Sequence, residues 1–537
     1  MFIADNQPPP YENVDLFGSD RALVEAARIN GAEAEERALS VFGRRWGTAA
    51  MFDAARRAND DPPQLVGDAG ERCVAFDPAY HAFMRDSIAE GLHAMSWRAD
   101  GRRAPAPAEV ARAARFYMVA QVENGHMCPV TMTRAAVAAL AAQPDLLAQV
   151  MPKIVARQYD PDYRPWTEKP GITIGMGMTE KQGGTDVRAN TTRAVRDGDG
   201  YRITGHKWFM SAPMCDAFLV LAQAPDGLTC FFMPRFAPEG AVNGLLFQKL
   251  KDKLGNRSNA SSEVEFADAY ALRVGEEGHG IRTIIEMVQL TRLDCAISSA
   301  GLMRAALARA LHHVRHRIVF QKRLIDQPMM RAVIADMALV SEAAMALTLR
   351  LARSFDLAPG DAAEAARARL LTPAVKYWVC KSAPAFVYEA MECLGGNGYV
   401  EDSVLPRLYR EAPVNAIWEG SGNVMCLDVL RALKRDTEAA RSVLAALLGD
   451  ANGLPGAEAA ARWIVSILTG ADSERQTRAG VERLAQLAAA AALQDMRSPV
   501  AELFARVHLA EARGAMFGTA ALGAADVAAM LDRAVPD

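Results

Sequence analysis

The chain has 537 residues and a mass of 58.0 kDa, enough at roughly 100–200 residues per domain for three or four domains with buried cores. Hydrophobic residues make up 51% and charged residues 23%, which excludes a disordered or fibrous chain. The formal net charge is −4, so no global basic field calls for a polyanionic partner, and any nucleic-acid role has to come from a local patch.

From Ala22 to Ala141 the pattern is helical, with Ala, Leu, Arg and Glu recurring at spacings of three and four, punctuated by Pro62-Pro63, Pro105 and Pro107. After Gly171 the texture changes to β-branched and apolar runs. The turn signals Asp197-Gly198-Asp199-Gly200 and Pro225-Asp226-Gly227 predict antiparallel hairpins there. Helix returns at Ile281 in a run too long for one ordinary helix, which has to be broken or belong to a long-helix bundle. A later helix is stopped by Gly395-Gly396, and the Ala-rich tail is interrupted at Pro455 and Pro499. Helix, sheet, helix is a segregated α+β order, and no G-x-G-x-x-G follows a strand. The expected divisions are a helical segment 1–177, a β domain 178–275, a helical bundle 276–435 and a further helical region 436–537.

The eight cysteines are scattered with no Cys-x-x-Cys and read as buried thiols of a reducing compartment. The first residues lack the basic flank and apolar core of a signal peptide, and no run of roughly eighteen apolar residues occurs. The expectation is a cytoplasmic protein that engages no membrane.

Three stretches carry chemistry. In Met178 to Val187, Gly183 and Gly184 let backbone amides approach a ligand and the threonines supply hydroxyls; a polar surface turn reads equally well. Gly205 to Ser211 puts an aromatic pair beside a hydroxyl at a strand end, suited to a flat heteroaromatic ring or, alone, to sheet core. In Asn415 to Asn423 a carboxylate, Glu419, precedes Gly-Ser-Gly before a helix, where it can serve as a general base or stand as a surface acid. His312 and His316 share a helix face, but no further ligand follows in a zinc pattern, so no metal is assigned.

Taken together and in order, these stretches resemble the acyl-CoA dehydrogenase flavoprotein family. Thr179-Glu180 through Gly184-Thr185-Asp186 is similar to the family's T-E-x-x-x-G-S-D, with Thr for Ser. Gly205 to Ser211 is similar to G-x-K-x-W-I-T, aligning Phe209 with the flavin-side Trp and Ser211 with the flavin-bonding Thr. Leu254 to Asn259 resembles L-G-x-R-x-S with Ser258 one position early, and Arg317 with Phe320 resembles R-x-x-F-G with Gln321 in place of Gly. Leu394 to Tyr399 matches L-G-G-x-G-Y, and Trp418 to Ser421 matches Y-E-G-T. The closer likeness, over nearly the whole chain, is to the branch of the family tied to the DNA alkylation response.

The resemblance implies the acyl-CoA dehydrogenase fold: an N-terminal helical domain, a middle antiparallel β domain, and a C-terminal four-helix domain, here with an extra helical tail. It implies FAD as cofactor and a homotetramer built as a dimer of dimers. The flavin-binding set becomes Met178, Thr179, Gly184, Thr185, Phe209, Ser211, Arg317, Phe320, Gly395, Gly396, Ile417, Trp418, Gly420, Ser421 and Asn423. It makes Glu419 the base that takes the Cα proton of an acyl-CoA thioester while hydride leaves Cβ. That base needs a dry pocket to work near neutrality, which Ile417 and Trp418 are placed to supply. Arg292 falls beside the CoA arm, or else in a salt bridge to Asp294 or another acid. The sequence names no electron acceptor and no acyl chain. The alkylation-response branch implies double-stranded DNA as a partner through Arg431 and Arg513. From Arg431 to Asp537 there are 12 basic and 13 acidic residues, so only a local stripe, Arg431 with Lys434 and Arg435, remains to contact phosphate. The alternative function is a DNA-binding protective flavoprotein in which FAD is chiefly structural or removes alkylating agents.

Overall fold

The computed structural model describes residues 6–68, 72–470 and 472–534. They group into two compact units, one of Asp53–Ala104 and Glu123–Thr291, the other of Met1–Phe52, Pro105–Val122 and Arg292–Asp537.

The first unit is built on seven strands: β1 (Ile174–Thr179), β2 (Arg193–Asp197), β3 (Gly200–Ser211), β4 (Ala217–Ala224), β5 (Gly227–Pro234), β6 (Leu245–Leu250) and β7 (Ser261–Val274). Both turn signals do what their residues dictate. The β2–β3 hairpin closes at Asp197↔Gly200 and the β4–β5 hairpin at Ala224↔Gly227. β4 and β5 are buried along almost their whole length, the unbroken apolar pattern of strands covered on both faces. The pairings run β1–β3, β3–β7, β7–β5 and β5–β4, then return to β1, so the sheet closes on itself. The closing seam, Ile174↔Ala217 to Gly177↔Val220, is parallel. The hairpins are antiparallel as expected, but no tight turn joins β1 to β4, so nothing local sets their direction.

In the same unit Glu123 is buried and gathers several donors, Asn59 Nδ2 (3.3 Å) among them. The backbone N–H groups of Gly125 (2.9 Å) and His126 (3.0 Å), the Ser258 hydroxyl and the His126 ring all point at its carboxylate. Ser87 completes the chain at His126 Nε2, 2.9 Å away. The serine that departs from the L-G-x-R-x-S spacing therefore fastens its turn to the loop between the helices Ala108–Ala120 and Met127–Leu140. These donors and the His126 charge overcome desolvation and push the Glu123 carboxyl down to about 2 from 4.5. Because the folded value lies below the unfolded one, its stabilisation is fully present above about pH 4.5 and disappears as pH falls towards 2. The expected loss is on the order of 3 kcal/mol. Acid unfolding followed by fluorescence should begin at higher pH in Glu123→Gln, and coincident acid transitions for the two proteins would contradict this.

The second unit is helical. Helix α1 (Gly280–His316) is unbroken over 37 residues, and its part from Arg292 onward belongs to this unit, so the long run belongs to a long-helix bundle. α2 (Pro328–Leu357) and α3 (Ala362–Cys393) pack on each other, α3 on α4 (Gly422–Arg435), and α5 (Ser473–Asp495) on all three. Pro328 opens α2 at a position where no N–H is needed, and Asp361 caps α3 through the Ala363 and Glu364 amides. By length and composition α2 is apolar enough to cross a membrane, yet 89% of its most apolar window is buried inside the protein. The tail helix α5 is thus part of this unit's core. So is the early helix Ala108–Ala120, whose fully buried Arg112 makes two 2.7 Å bonds to Asp294 of α1. Packing rather than chain order decides the grouping, so residues 1–177 are shared between units.

Candidate functional site

In the sheet unit, β1 ends at Met178 and Thr179, both half-buried, and the loop through Gly184, Thr185 and Asp186 is exposed. Glu180 between them is fully buried, and its carboxylate anchors the loop. It accepts from Lys207 Nζ (2.8 Å), the Thr191 amide (2.7 Å) and hydroxyl (3.0 Å), the Thr192 amide (3.2 Å) and Gln182 Nε2 (2.7 Å). These partners, led by the Lys207 charge, hold it far below the usual carboxylate range against the cost of burial. Burial brings Lys207 down to about 8. The loop doubles back so closely that a Cβ on Gly184 would lie 2.3 Å from Thr179 Oγ1.

Thr179 pairs across the ladder with Phe209, and Met176 with Ser211. Strict alternation would put Phe209 on the face of the buried Lys207. Instead the register shifts between Lys207 and Met210 on one side and between Gly177 and Thr179 on the other, and Phe209 emerges 46% exposed. Lys251 Nζ lies 3.3 Å over the Trp208 ring and 4.7 Å over Phe209. Sequence reasoning missed Glu180 and Lys207 as a pair. The available signal was a charge embedded in each of two apolar strand ends.

In the helical unit, Asn415 is buried and orients the Glu419 loop, donating to Ser298 (3.1 Å) and accepting from Trp418 Nε1 (2.9 Å). Glu419 adopts φ +56° and Gly420 φ +104°, the left-handed region that only Gly enters freely. Arg292 Nε donates to the Glu419 carbonyl (3.0 Å) and Lys376 Nζ to the Gly420 carbonyl (2.8 Å). Ser421 then stands at the N-terminus of α4 with its hydroxyl unused for capping, and Asn423 is exposed beside it. Ile417 is 66% exposed. The turn at Val414–Ala416 directs it outward, so this chain alone does not supply the dryness expected of it.

Arg292 reaches neither Asp294 nor open space: it pairs with Asp428 (2.6 Å), which Arg369 also holds (2.8 Å), because Asp294 is taken by Arg112. Arg317 Nη1 donates to the Asn6 carbonyl (2.8 Å), and Phe320 beyond it is 89% exposed. Gln321, where the family motif has Gly, keeps the left-handed backbone at φ +65°. Gly395 and Gly396 are exposed with open space where a Cβ would stand. His312 and His316 bond to the carbonyls of Pro9 and His312, each at 2.7 Å, and no three metal-ligating side chains gather among the described residues.

Of the two arginines expected to meet DNA, Arg431 is exposed, as are Lys434 and Arg435. Arg513 is not open in the same way. Its guanidinium pairs with the buried Asp336 (3.2 Å) and lies 3.0 Å from His508 Nε2.

Comparison with known proteins places this arrangement in a class. The family profile for the acyl-CoA dehydrogenase middle domain matches residues 175–269 and that for the C-terminal domain residues 278–434. The profile for the N-terminal domain of the adaptive response protein AidB matches residues 6–161. The chain belongs to the acyl-CoA dehydrogenase family, which is FAD-dependent. Within it, the chain is 51% identical over 443 residues to AidB of Escherichia coli (strain K12), spanning 80% of each sequence. It is 34% identical over 418 residues to acyl-CoA dehydrogenase family member 11 of Caenorhabditis elegans, spanning 73% of this chain and 66% of that one. The crystal structure of C. elegans ACDH-11 in complex with C11-CoA superposes with a TM-score of 0.84 at 26% identity, covering 95% of this chain and 94% of that one. Bd2924 in its apo form superposes with a TM-score of 0.81 at 27% identity, covering 92% and 100%.

Proposed function

We propose that the chain is an FAD-dependent dehydrogenase of acyl-CoA thioesters, forming a Cα–Cβ double bond with Glu419 as base. The observation that carries this reading is the Glu419 loop, a carboxylate at left-handed backbone immediately before a helix N-terminus, with both following carbonyls held by buried cations. Each unit also offers what a flavin dinucleotide requires. The sheet unit presents Met178 and Thr179, the exposed Phe209 ring with Ser211, and the open Gly184-Thr185 loop. The helical unit presents Ile417, Trp418, Gly420, Ser421 and Asn423 at the start of α4, the bare Gly395-Gly396 backbone, and Arg317 with Phe320, which the family resemblance assigns to the adenosine diphosphate of a neighbouring subunit's FAD. When bound, FAD supplies the acceptor for the Cβ hydride.

Glu419 takes the Cα proton, and the electron pair of that C–H bond becomes the new double bond. The Glu419 N–H is the donor assigned to the thioester carbonyl, where negative charge grows. Arg292, committed to Asp428, acts on the loop rather than on the CoA arm. The ACDH-11 complex with C11-CoA supports a thioester ligand. Anaerobic turnover with a dye acceptor should give a thioester two mass units lighter by mass spectrometry; unchanged substrate across straight and branched chains would reject the reading.

The same reading includes a homotetramer, supported by Phe320, Met329 and Tyr399, which are 89%, 85% and 80% exposed and apolar enough to be covered by a second copy. It includes a reducing, cytoplasmic setting, in keeping with eight cysteines that are all free thiols. A role in the alkylation response, with DNA as partner, rests on the exposed stripe Arg431, Lys434 and Arg435; Arg513 supports the tail through Asp336 instead. Duplex DNA should be retarded by the protein, with binding weakened and the slope of log affinity against log salt reduced by about 0.9 for each phosphate contact removed, as in Arg431→Ala. An unchanged slope would remove Arg431 from the contact.

A further inference from the structure

The Leu254 to Asn259 stretch takes no part in the proposed reaction, yet the sheet unit builds a cavity around it. Pro62, Pro63, Lys251, Lys253, Arg257 and Asn259 are among the residues lining about 200 Å³ at the connection between β6 and β7. That connection is held from within. Ser258 donates its hydroxyl to the buried Glu123 carboxylate and its N–H to Asn59 Oδ1 (3.3 Å). The Lys251 N–H reaches the Ser261 carbonyl (2.8 Å) and the Asn259 N–H the Asn256 carbonyl (3.2 Å), with Asn256 in the left-handed region at φ +53°. The two prolines are stiff by their rings, and Arg72, from the segment that follows them, donates to the Phe247 and Gln248 carbonyls of β6, both at 3.0 Å. The cavity is thus shaped before any ligand arrives, which spares a ligand the cost of ordering it.

Its chemistry selects an anion. Arg257 is exposed and makes no hydrogen bond or ion pair among the described residues. Lys253 donates to the Asn259 main-chain carbonyl. Lys251 shares one carboxylate, Glu263, with Lys249 outside the cavity, at 2.8 and 3.3 Å. Asp252 is the acid in the lining, and it is exposed and makes no ion pair. Cations therefore outnumber acids four to two in this neighbourhood. Asn259 is 1% exposed, and neither end of its side-chain amide has a hydrogen-bond partner among the described residues, a cost that a polar ligand drawn against it removes. A phosphate monoester brings a charge of about −1.5 to −2 near neutrality and three acceptor oxygens, and the guanidinium fork fits two of those oxygens at once. The volume leaves room for a small ester group and falls below the roughly 300–1,000 Å³ of sites that enclose drug-sized ligands.

We propose that this cavity is a binding site for a small phosphate monoester, gripped by the Arg257 guanidinium with Lys253 and the Asn259 amide beside it. None of its lining residues belongs to the set expected to hold flavin or to the Glu419 loop, so the site stands whether or not Glu419 is the base. Calorimetric titration of the FAD-loaded protein with glycerol 3-phosphate and with inorganic phosphate, at ionic strength fixed with NaCl, tests it. The ester is expected to bind once per chain and more tightly than inorganic phosphate. Equal affinity for the two would overturn the assignment to an ester. Arg257→Ala removes no contact within the protein and should weaken ester binding roughly 10- to 100-fold, the worth of a charge-assisted pair of hydrogen bonds. Arg257→Lys, which keeps the charge but not the fork, should fall between Arg257→Ala and wild type. No heat from the ester up to about 10 mM, or binding that Arg257→Ala leaves unchanged, would overturn the proposal.

Discussion

Glu419→Gln is expected to suppress flavin bleaching by acyl-CoA thioesters by roughly 10²- to 10⁴-fold, the range a positioned general base contributes. In free energy this is about 3–5 kcal/mol of barrier. The substitution is nearly isosteric, and the bonds from Arg292 to Glu419 and from Lys376 to Gly420 act on main-chain carbonyls that it leaves in place. The loop should therefore keep its conformation and the protein its flavin, so that only proton removal is lost. A glutamine variant that bleaches within about tenfold of wild type would show that another group takes the proton.

The second large effect is structural. Glu180→Ala should destabilise the protein by about 3–5 kcal/mol, the cost of breaking a buried pair and leaving one charge alone. Both side chains are fully buried, and Glu180 is the acceptor for two threonine amides as well as for Lys207. Losing it removes the acceptor of five donors at once, the Thr191 hydroxyl and Gln182 amide included, and releases the loop that carries Gly184 and Thr185, so bound flavin should fall with stability. Lys207, already brought down to about 8 by burial, would shed its proton near neutrality once the carboxylate is gone. The double variant Glu180→Gln with Lys207→Met should recover part of the loss, because replacing both partners by uncharged side chains leaves no stranded charge, and the glutamine keeps an amide oxygen for the threonine donors. Urea unfolding with two probes measures this, and a loss under about 1 kcal/mol for Glu180→Ala would contradict it.

Local chemistry was readable from the sequence wherever neighbours along the chain decide the structure. The turns at Asp197-Gly200 and Pro225-Gly227 formed because their residues prescribe them, and the run from Ile281 was visible as helical, although its length left a break open that the single helix Gly280–His316 does not contain. What stayed hidden depends on partners far apart. The parallel seam of β1 with β4 follows from closure of the sheet. The outward turn of Phe209 follows from shifts in two ladders that alternation cannot anticipate. Asp294 was a reasonable local partner for Arg292, yet Arg112 occupies it from 182 residues away. Arg513 could be counted as a basic residue, but only the fold shows Asp336 holding it. In the site, the motif containing Glu419 stood out, whereas the cations that hold its loop, Lys376 above all, carried no motif of their own.

The most direct measurement of the central claim is the visible spectrum of the purified protein, recorded before and after anaerobic addition of acyl-CoA thioesters. The account predicts the absorption of an oxidised flavin that fades on addition of at least one thioester and persists in Glu419→Gln. Protein that is colourless and cannot be reconstituted with FAD, or whose spectrum no thioester changes, would contradict it.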